Sequence, residues 1–184
     1  ISSPHKGLCP SALAAGGVER RTSPGSPFSG DLLNRGPGMS EGWTKDIEVL
    51  LAWKKDSGKH TSSYIDDTFW KESISKAGIK QMEQLMQNKW DKTRWSELLE
   101  RSEIFADESG LLSDSKRFDL LNQAKNVIEE ISSEFKPLLC MLGKSLVIVP
   151  KNIDNEESLE LSGLIYELNE VGFITKKTKI GRLF

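Results

Sequence analysis

Residues of the types that do covalent or acid–base chemistry are scarce in this chain. Its histidines are His5 and His60, and its cysteines are Cys9 and Cys140. General acid–base and nucleophilic catalysis need such groups, or paired carboxylates, gathered in one fixed geometry. His5 and Cys9 are near neighbours, but the Gly- and Pro-rich stretch around them has nothing to hold either in place. His60 falls in a polar loop. Neither histidine has the spacing of a metal-ligand pair, and neither cysteine belongs to a C-x-x-C motif. Asp66 and Asp67 suggest a cation site, yet adjacent carboxylates at a helix start complement the helix dipole without any metal. No G-x-x-x-x-G-K-[ST] loop, G-x-G-x-x-G turn or G-x-S-x-G elbow occurs. The expectation is a chain with no catalytic residue, no metal site and no cofactor, and with no small-molecule ligand. Cys140, inside an apolar segment, reads as a small buried hydrophobe rather than a reactive thiol.

Whatever the chain does must then rest on surfaces, and the elements that carry them follow from composition and periodicity. Of its 184 residues, 37% are hydrophobic and 28% charged, with a net charge of −2. No global field recruits nucleic acid or an anionic membrane. The longest apolar run, Pro137 to Val149, is interrupted by Gly143, Lys144 and Ser145, short of the roughly 18 residues a spanning helix needs. No membrane partner and no secretory signal are expected. The two cysteines make no disulfide framework, so the expected home is a reducing one, nuclear or cytoplasmic.

Residues 1–38 stand apart. Twelve of them are Gly or Pro, too many for the segment to bury enough apolar surface to offset the entropy of ordering it. They are expected to be a disordered tail. Met39, where the composition changes, is the expected natural start, or else the residues before it come from an upstream exon. Beyond it a helical domain is expected over 39–136, with a small α/β element over 137–184 packed on it.

Within the helical domain, Ile47, Leu50, Leu51 and Trp53 mark one face of a short helix with Thr44 as N-cap. Gly58 to Ser63 reads as a loop. A second helix starts near Asp66–Asp67, presents Phe69, Trp70 and Ile74, and stops at Gly78. A third runs from Ile79 to Arg101 through Met82, Leu85, Met86 and Trp90, and Asp107 to Gly110 breaks the pattern. A fourth carries Phe118, Leu121, Ala124, Ile128, Ile131 and Phe135 at steps of three or four, and Pro137 ends it. Then Leu146–Val149 reads as a buried strand, Leu161, Leu164, Ile165 and Leu168 as a helix face ending at Gly172, and Phe173–Thr175 as the start of a second strand. The fold class this predicts is mainly α, with a small C-terminal β–α–β element.

All the tryptophans (Trp43, Trp53, Trp70, Trp90 and Trp95) fall in one stretch. Three short helices centred on large aromatics resemble the Myb/SANT and trihelix DNA-binding domains over residues 43–101. Trp43, Trp70 and Trp90 match the tryptophans of that core, and Gln87-Asn88-Lys89-Trp90-Asp91-Lys92 is similar to the lysine–tryptophan pair of the trihelix third helix. The resemblance implies either DNA or protein as the partner. Met39 to Phe105 holds 11 basic and 12 acidic side chains, and a duplex would have to be held by local lysines and arginines alone. Residues 144–184 resemble the opening β–α–β of nucleoside diphosphate kinases, through Ser145–Lys151 and Gly163–Ile174. The nucleophilic histidine of that family has no counterpart here, so the resemblance implies at most a truncated nucleotide-binding protein. Leu161 to Phe184 also fits the helix and basic hairpin of a winged helix.

The leading expectation is a non-enzymatic interaction module that docks a protein partner through the exposed members of Trp53, Trp70, Met82, Met86, Trp90 and Trp95, since Trp and Met are favoured at binding hot spots. The alternative is a nucleic-acid partner held by Lys80, Lys89, Lys92, Arg94, Lys176, Lys177, Lys179 and Arg182.

Overall fold

Seven residues, Ile47–Trp53, decide the architecture. In the computed structural model, which describes residues 19–21, 40–42, 47–55, 68–88, 92–140, 144–154 and 161–180, they form a strand and not a helix. Strand β1 (Glu19–Arg21) and β2 (Ser40–Gly42) make a separate antiparallel ribbon, so three residues of the segment expected to be disordered are paired. The expectations for Trp43, Thr44, Gly58 to Ser63, Asp66, Asp67, Lys89, Trp90 and Arg182 lie outside the described residues.

From β3 (Ile47–Trp53) the chain runs through α1 (Thr68–Met86), α2 (Trp95–Glu108) and α3 (Ser115–Ile131). The hairpin β4 (Phe135–Leu139) and β5 (Ser145–Pro150) follows, then α4 (Leu161–Glu170) and β6 (Ile174–Ile180). The last four strands named, β3 to β6, form one antiparallel sheet in the order β4-β5-β3-β6. A mainly helical fold with a self-contained β–α–β tail is therefore incorrect. The structure is a helix-clad antiparallel sheet. β5, α4 and β6 do follow one another, but β3 is inserted between the two strands and pairs with both. The sheet thus joins residues from both sides of the expected boundary at 136/137.

The physical reason for the misreading is two-sided burial. A strand covered on both faces reads as a continuous apolar run, and Ile47, Leu50 and Leu51 satisfy helical spacing by accident. On one face Leu50, Ala52, Leu146, Ile148, Phe135 and Leu139 meet α3 and α4 in the larger core. On the other, Ile47, Val49, Val147, Val149, Leu138 and Cys140 meet Leu85, Trp95, Leu98 and Leu99. We call these the α3 face and the Trp95 face. Helix α2 contributes to both, with Trp95, Leu98 and Leu99 on one and Phe105 and Ala106 on the other.

Three helix expectations also change. Gly78 lies inside α1, because the stripe Trp70, Ile74, Ala77, Gln81 and Leu85 continues past it. A mid-helix glycine costs only about 1 kcal/mol relative to alanine, less than the burial it would forfeit by stopping there. The expected helix from Ile79 to Arg101 is instead split by a 3₁₀ turn, Lys92–Arg94, into the end of α1 and the start of α2. In α3 the buried side chains are Arg117, Leu120, Leu121, Ala124, Val127 and Ile128, while Phe118 is 50% and Ile131 40% exposed. Asp114 caps α3, accepting from the Lys116 amide at 3.0 Å.

Pro137 ends no helix; it sits within β4. Proline drives the residue before it into extended backbone, so Lys136–Pro137 favours strand. Cys140 N–H donates to the Ser145 carbonyl and Lys151 N–H to the Glu134 carbonyl, each at 2.8 Å. In this antiparallel register the even-numbered β4 residues therefore bond to β5 and the odd-numbered ones face outward. The missing N–H of Pro137 is one the ladder never uses.

Candidate functional site

The residues expected to dock a partner do not share one helical surface. Trp95 is 2% exposed, and its Nε1–H donates to the Pro150 carbonyl at 2.7 Å. The β3–β5 pairing ends at Leu50↔Ile148, and the Pro150 carbonyl lies just beyond it. Trp95 is thus a core residue that anchors α2 to the end of β5, and its place among the docking residues is corrected. Trp70 is half-buried and packs on the larger core. Met82 and Met86 lie on α1 with side chains outside the described set.

Trp53 is different. It ends β3 on the Trp95 face, directly opposite Ile174 of β6 and Ser145 of β5. Leu51, Trp53 and Ile174 form an apolar part of that face which the core covers incompletely. Leu51 is only partly buried against it, Trp53 is half-buried, and Ile174 is 41% exposed. Lys176 and Thr178 continue the same row along β6, paired with Leu51 and Val49.

The cationic candidates scatter over several elements. Arg94 is structural: its Nη1 donates to the carbonyls of Leu85 and Asn88, each at 2.8 Å. Its Nε and Nη2 grip the Glu97 carboxylate at 2.7 and 2.9 Å. One guanidinium closes the C-terminal end of α1 and ties it to the first turn of α2. This contact holds the Glu97 carboxyl below its ordinary value of 4.5, against the opposing effect of burial. A side chain so engaged is not offered to a phosphate, so Arg94 leaves the nucleic-acid set.

Lys80 on α1 pairs with Glu108 on α2, and Gln81 donates to the same carboxylate at 2.7 Å. The Lys80 hydrogen bond is the main reason the Glu108 carboxyl titrates low. Lys92 lies in the 3₁₀ turn. Lys176, Lys177 and Lys179 share β6, and Lys177 reaches Glu48 of β3 at 2.9 Å.

Among the described residues are two concavities. One, of about 320 Å³, lies between α2, α3 and β4, with Ser102, Leu121, Pro137 and Leu139 in its walls. Glu103 at its rim already binds Lys136 at 2.6 Å and Lys125 at 3.5 Å. The other, of about 310 Å³, is lined by Ser73, Lys76, Ala77, Lys80 and Glu108. Among the described residues no group of three or more His, Cys, Asp or Glu side chains could hold a metal ion. No helix among them is long and apolar enough to cross a membrane. Cys140 is buried in the core beneath the Trp95 face.

Glu97, the partner that gives Arg94 its role, was not singled out from sequence, though its i,i+3 spacing was visible. The Trp53–Ile174 pairing had no local signal, since 121 positions of chain separate residues that only the sheet brings together. Comparison with protein-family models finds no match, and no curated protein matches the sequence.

Proposed function

We propose that this chain is a non-enzymatic protein-interaction module of the cell interior, nuclear or cytoplasmic, and that it docks its partner on the β6 side of the sheet. The observation that carries this reading is the row Leu51, Trp53 and Ile174, a half-covered aromatic and aliphatic patch at the end of a face sealed elsewhere by α1 and α2. Tryptophan with aliphatic neighbours and a polar rim, here Lys176 and Thr178, is the composition of interaction hot spots.

Affinity capture from cell extract with the wild type and with Ile174→Arg tests it. Ile174 is exposed enough that the substitution leaves stability within about 0.5 kcal/mol, which a melt verifies. The expected result is a partner retained by the wild type and lost by the variant. Capture of the same proteins by both chains would refute the docking face. The nucleic-acid alternative now rests on Lys176, Lys177 and Lys179 of β6. It predicts duplex binding that weakens steeply between low and moderate salt.

A further inference from the structure

The two edges of the sheet are treated differently. At β4, Pro137 removes an outward donor, and α2 passes alongside, with Glu103 bound to Lys136. At β6 the seven residues Ile174–Ile180 contain no proline, and no described strand pairs with their outer side. The ladder shows which groups are left there. Odd-numbered β5 residues bond to β4, so even-numbered ones bond to β3 through Leu50↔Ile148 and Ala52↔Leu146. Odd-numbered β3 residues then bond to β6 through Ile47↔Ile180, Val49↔Thr178, Leu51↔Lys176 and Trp53↔Ile174. The N–H and C=O groups of Thr175, Lys177 and Lys179 consequently point away from the sheet.

Side chains on the two faces of this edge differ in chemistry. Thr175, Lys177 and Lys179 lie on the α3 face beside Glu48, while Ile174, Lys176 and Thr178 lie on the Trp95 face beside Trp53 and Leu51. A second copy of the chain is a poor occupant. Pairing two β6 strands antiparallel about Lys177 sets that lysine against itself, and pairing about Thr178 sets Lys177 against Lys179 twice. Like charges directly opposite are destabilising.

We infer that the outer edge of β6 accepts an added strand from a partner protein, an extended segment whose carboxylates alternate with β-branched apolar residues. The acidic side chains meet Lys177 and Lys179 on one face, and the apolar ones extend the Ile174–Trp53 row on the other. The outward backbone groups of Thr175, Lys177 and Lys179 supply the main-chain hydrogen bonds. The lysines that repel a second copy thereby select the partner. This rests on the docking reading above and names the class of partner.

The probe is a terminally blocked peptide of alternating valine and glutamate, matched to the 7 residues of β6. Its control has the same composition with the glutamates in one block. Amide hydrogen exchange by NMR reads the edge residue by residue. In the free chain, Thr175, Lys177 and Lys179 are expected to exchange fast, and Lys176 and Thr178 slowly. The alternating peptide is expected to slow the first three by about tenfold or more, leaving the other two unchanged. The block control is expected to bind without that pattern. Lys179→Glu should weaken the acidic peptide and favour one alternating valine with lysine. Edge amides already protected in the free chain, or equal effects of both acidic peptides, would overturn the inference. So would an unaltered exchange pattern with a partner whose capture depends on Ile174; that result would leave the docking face standing and remove only the strand-addition mode.

Discussion

Trp95→Phe keeps an aromatic ring at the start of α2 and removes one donor and half of a bicyclic side chain. The Pro150 carbonyl then loses the 2.7 Å bond it accepts in a buried site, a loss of about 1–3 kcal/mol when an acceptor is left unsatisfied. The smaller ring adds roughly 1–2 kcal/mol through lost transfer energy and a residual cavity costing about 24 cal/mol per Å³. The sum, about 2–5 kcal/mol, is a large part of the roughly 5–15 kcal/mol by which domains are stable. At roughly 2–4 °C per kcal/mol for a chain of this size, the melting temperature should fall by about 4–20 °C. Urea unfolding followed by circular dichroism at a helical wavelength measures it, with an unchanged slope confirming that the native state is otherwise intact. A loss below about 0.5 kcal/mol, typical of a surface site, would refute the assignment of Trp95 to the core and return it to the docking set.

Four further substitutions probe the frame that holds the proposed docking face. Arg94→Ala frees the Leu85 and Asn88 carbonyls and the Glu97 carboxylate and should cost about 1.5–3 kcal/mol. Because Glu97 titrates below its ordinary 4.5 in the folded chain, its contribution is present above that value and is lost as pH falls through the folded one. Urea midpoints measured from pH 6 down to pH 3 should therefore fall less steeply in Arg94→Ala than in the wild type; parallel profiles would contradict the pairing. Pro137→Ala should change stability by no more than about 1 kcal/mol, acting mainly through the unfolded chain. Leu138→Pro should cost about 3 kcal/mol or unfold the chain, since it removes a β4–β5 donor; similar effects of the two in denaturant melts would invalidate the assigned ladder. Gly172 has φ +86° and an added Cβ there meets nothing within 4 Å. Gly172→Ala should thus cost about 1–2 kcal/mol from backbone conformation alone, and a thermal melt showing no loss would argue against the left-handed turn.

The elements covered on one side were legible from spacing. Leu161, Leu164 and Leu168 announce α4, and Gly172 marks its end with Gly172 N–H bonded to Asn169 and Phe173 N–H to Leu168, each at 2.9 Å. The run Ser145–Val149, though buried on both faces, announces β5 by its β-branched composition rather than by spacing, and Asp107 to Gly110 contains the break after α2. The proposed docking face is half legible. Trp53 is named for its residue type and Ile174 falls in the expected second strand, but β3, the strand that sets Trp53 beside Ile174, is not read.

Composition and local chemistry were enough to read the breaks at Gly110 and Gly172, the helix covered on one face, the basic character of the segment that becomes β6, and the scarcity of histidine and cysteine. These are properties of a residue and its next few neighbours. Only the tertiary structure decided that Ile47–Trp53 is a strand, that Arg94 closes a helix, that Trp95 faces inward, and that no described strand pairs with the outer side of β6. Each depends on partners far along the chain: Trp95 and Pro150 are 55 residues apart, and β3 meets both β5 and β6. One-sided burial leaves a period in the sequence; burial on both faces and long-range hydrogen bonds leave none, so the hydrogen-bonding needs of the whole sheet settle them.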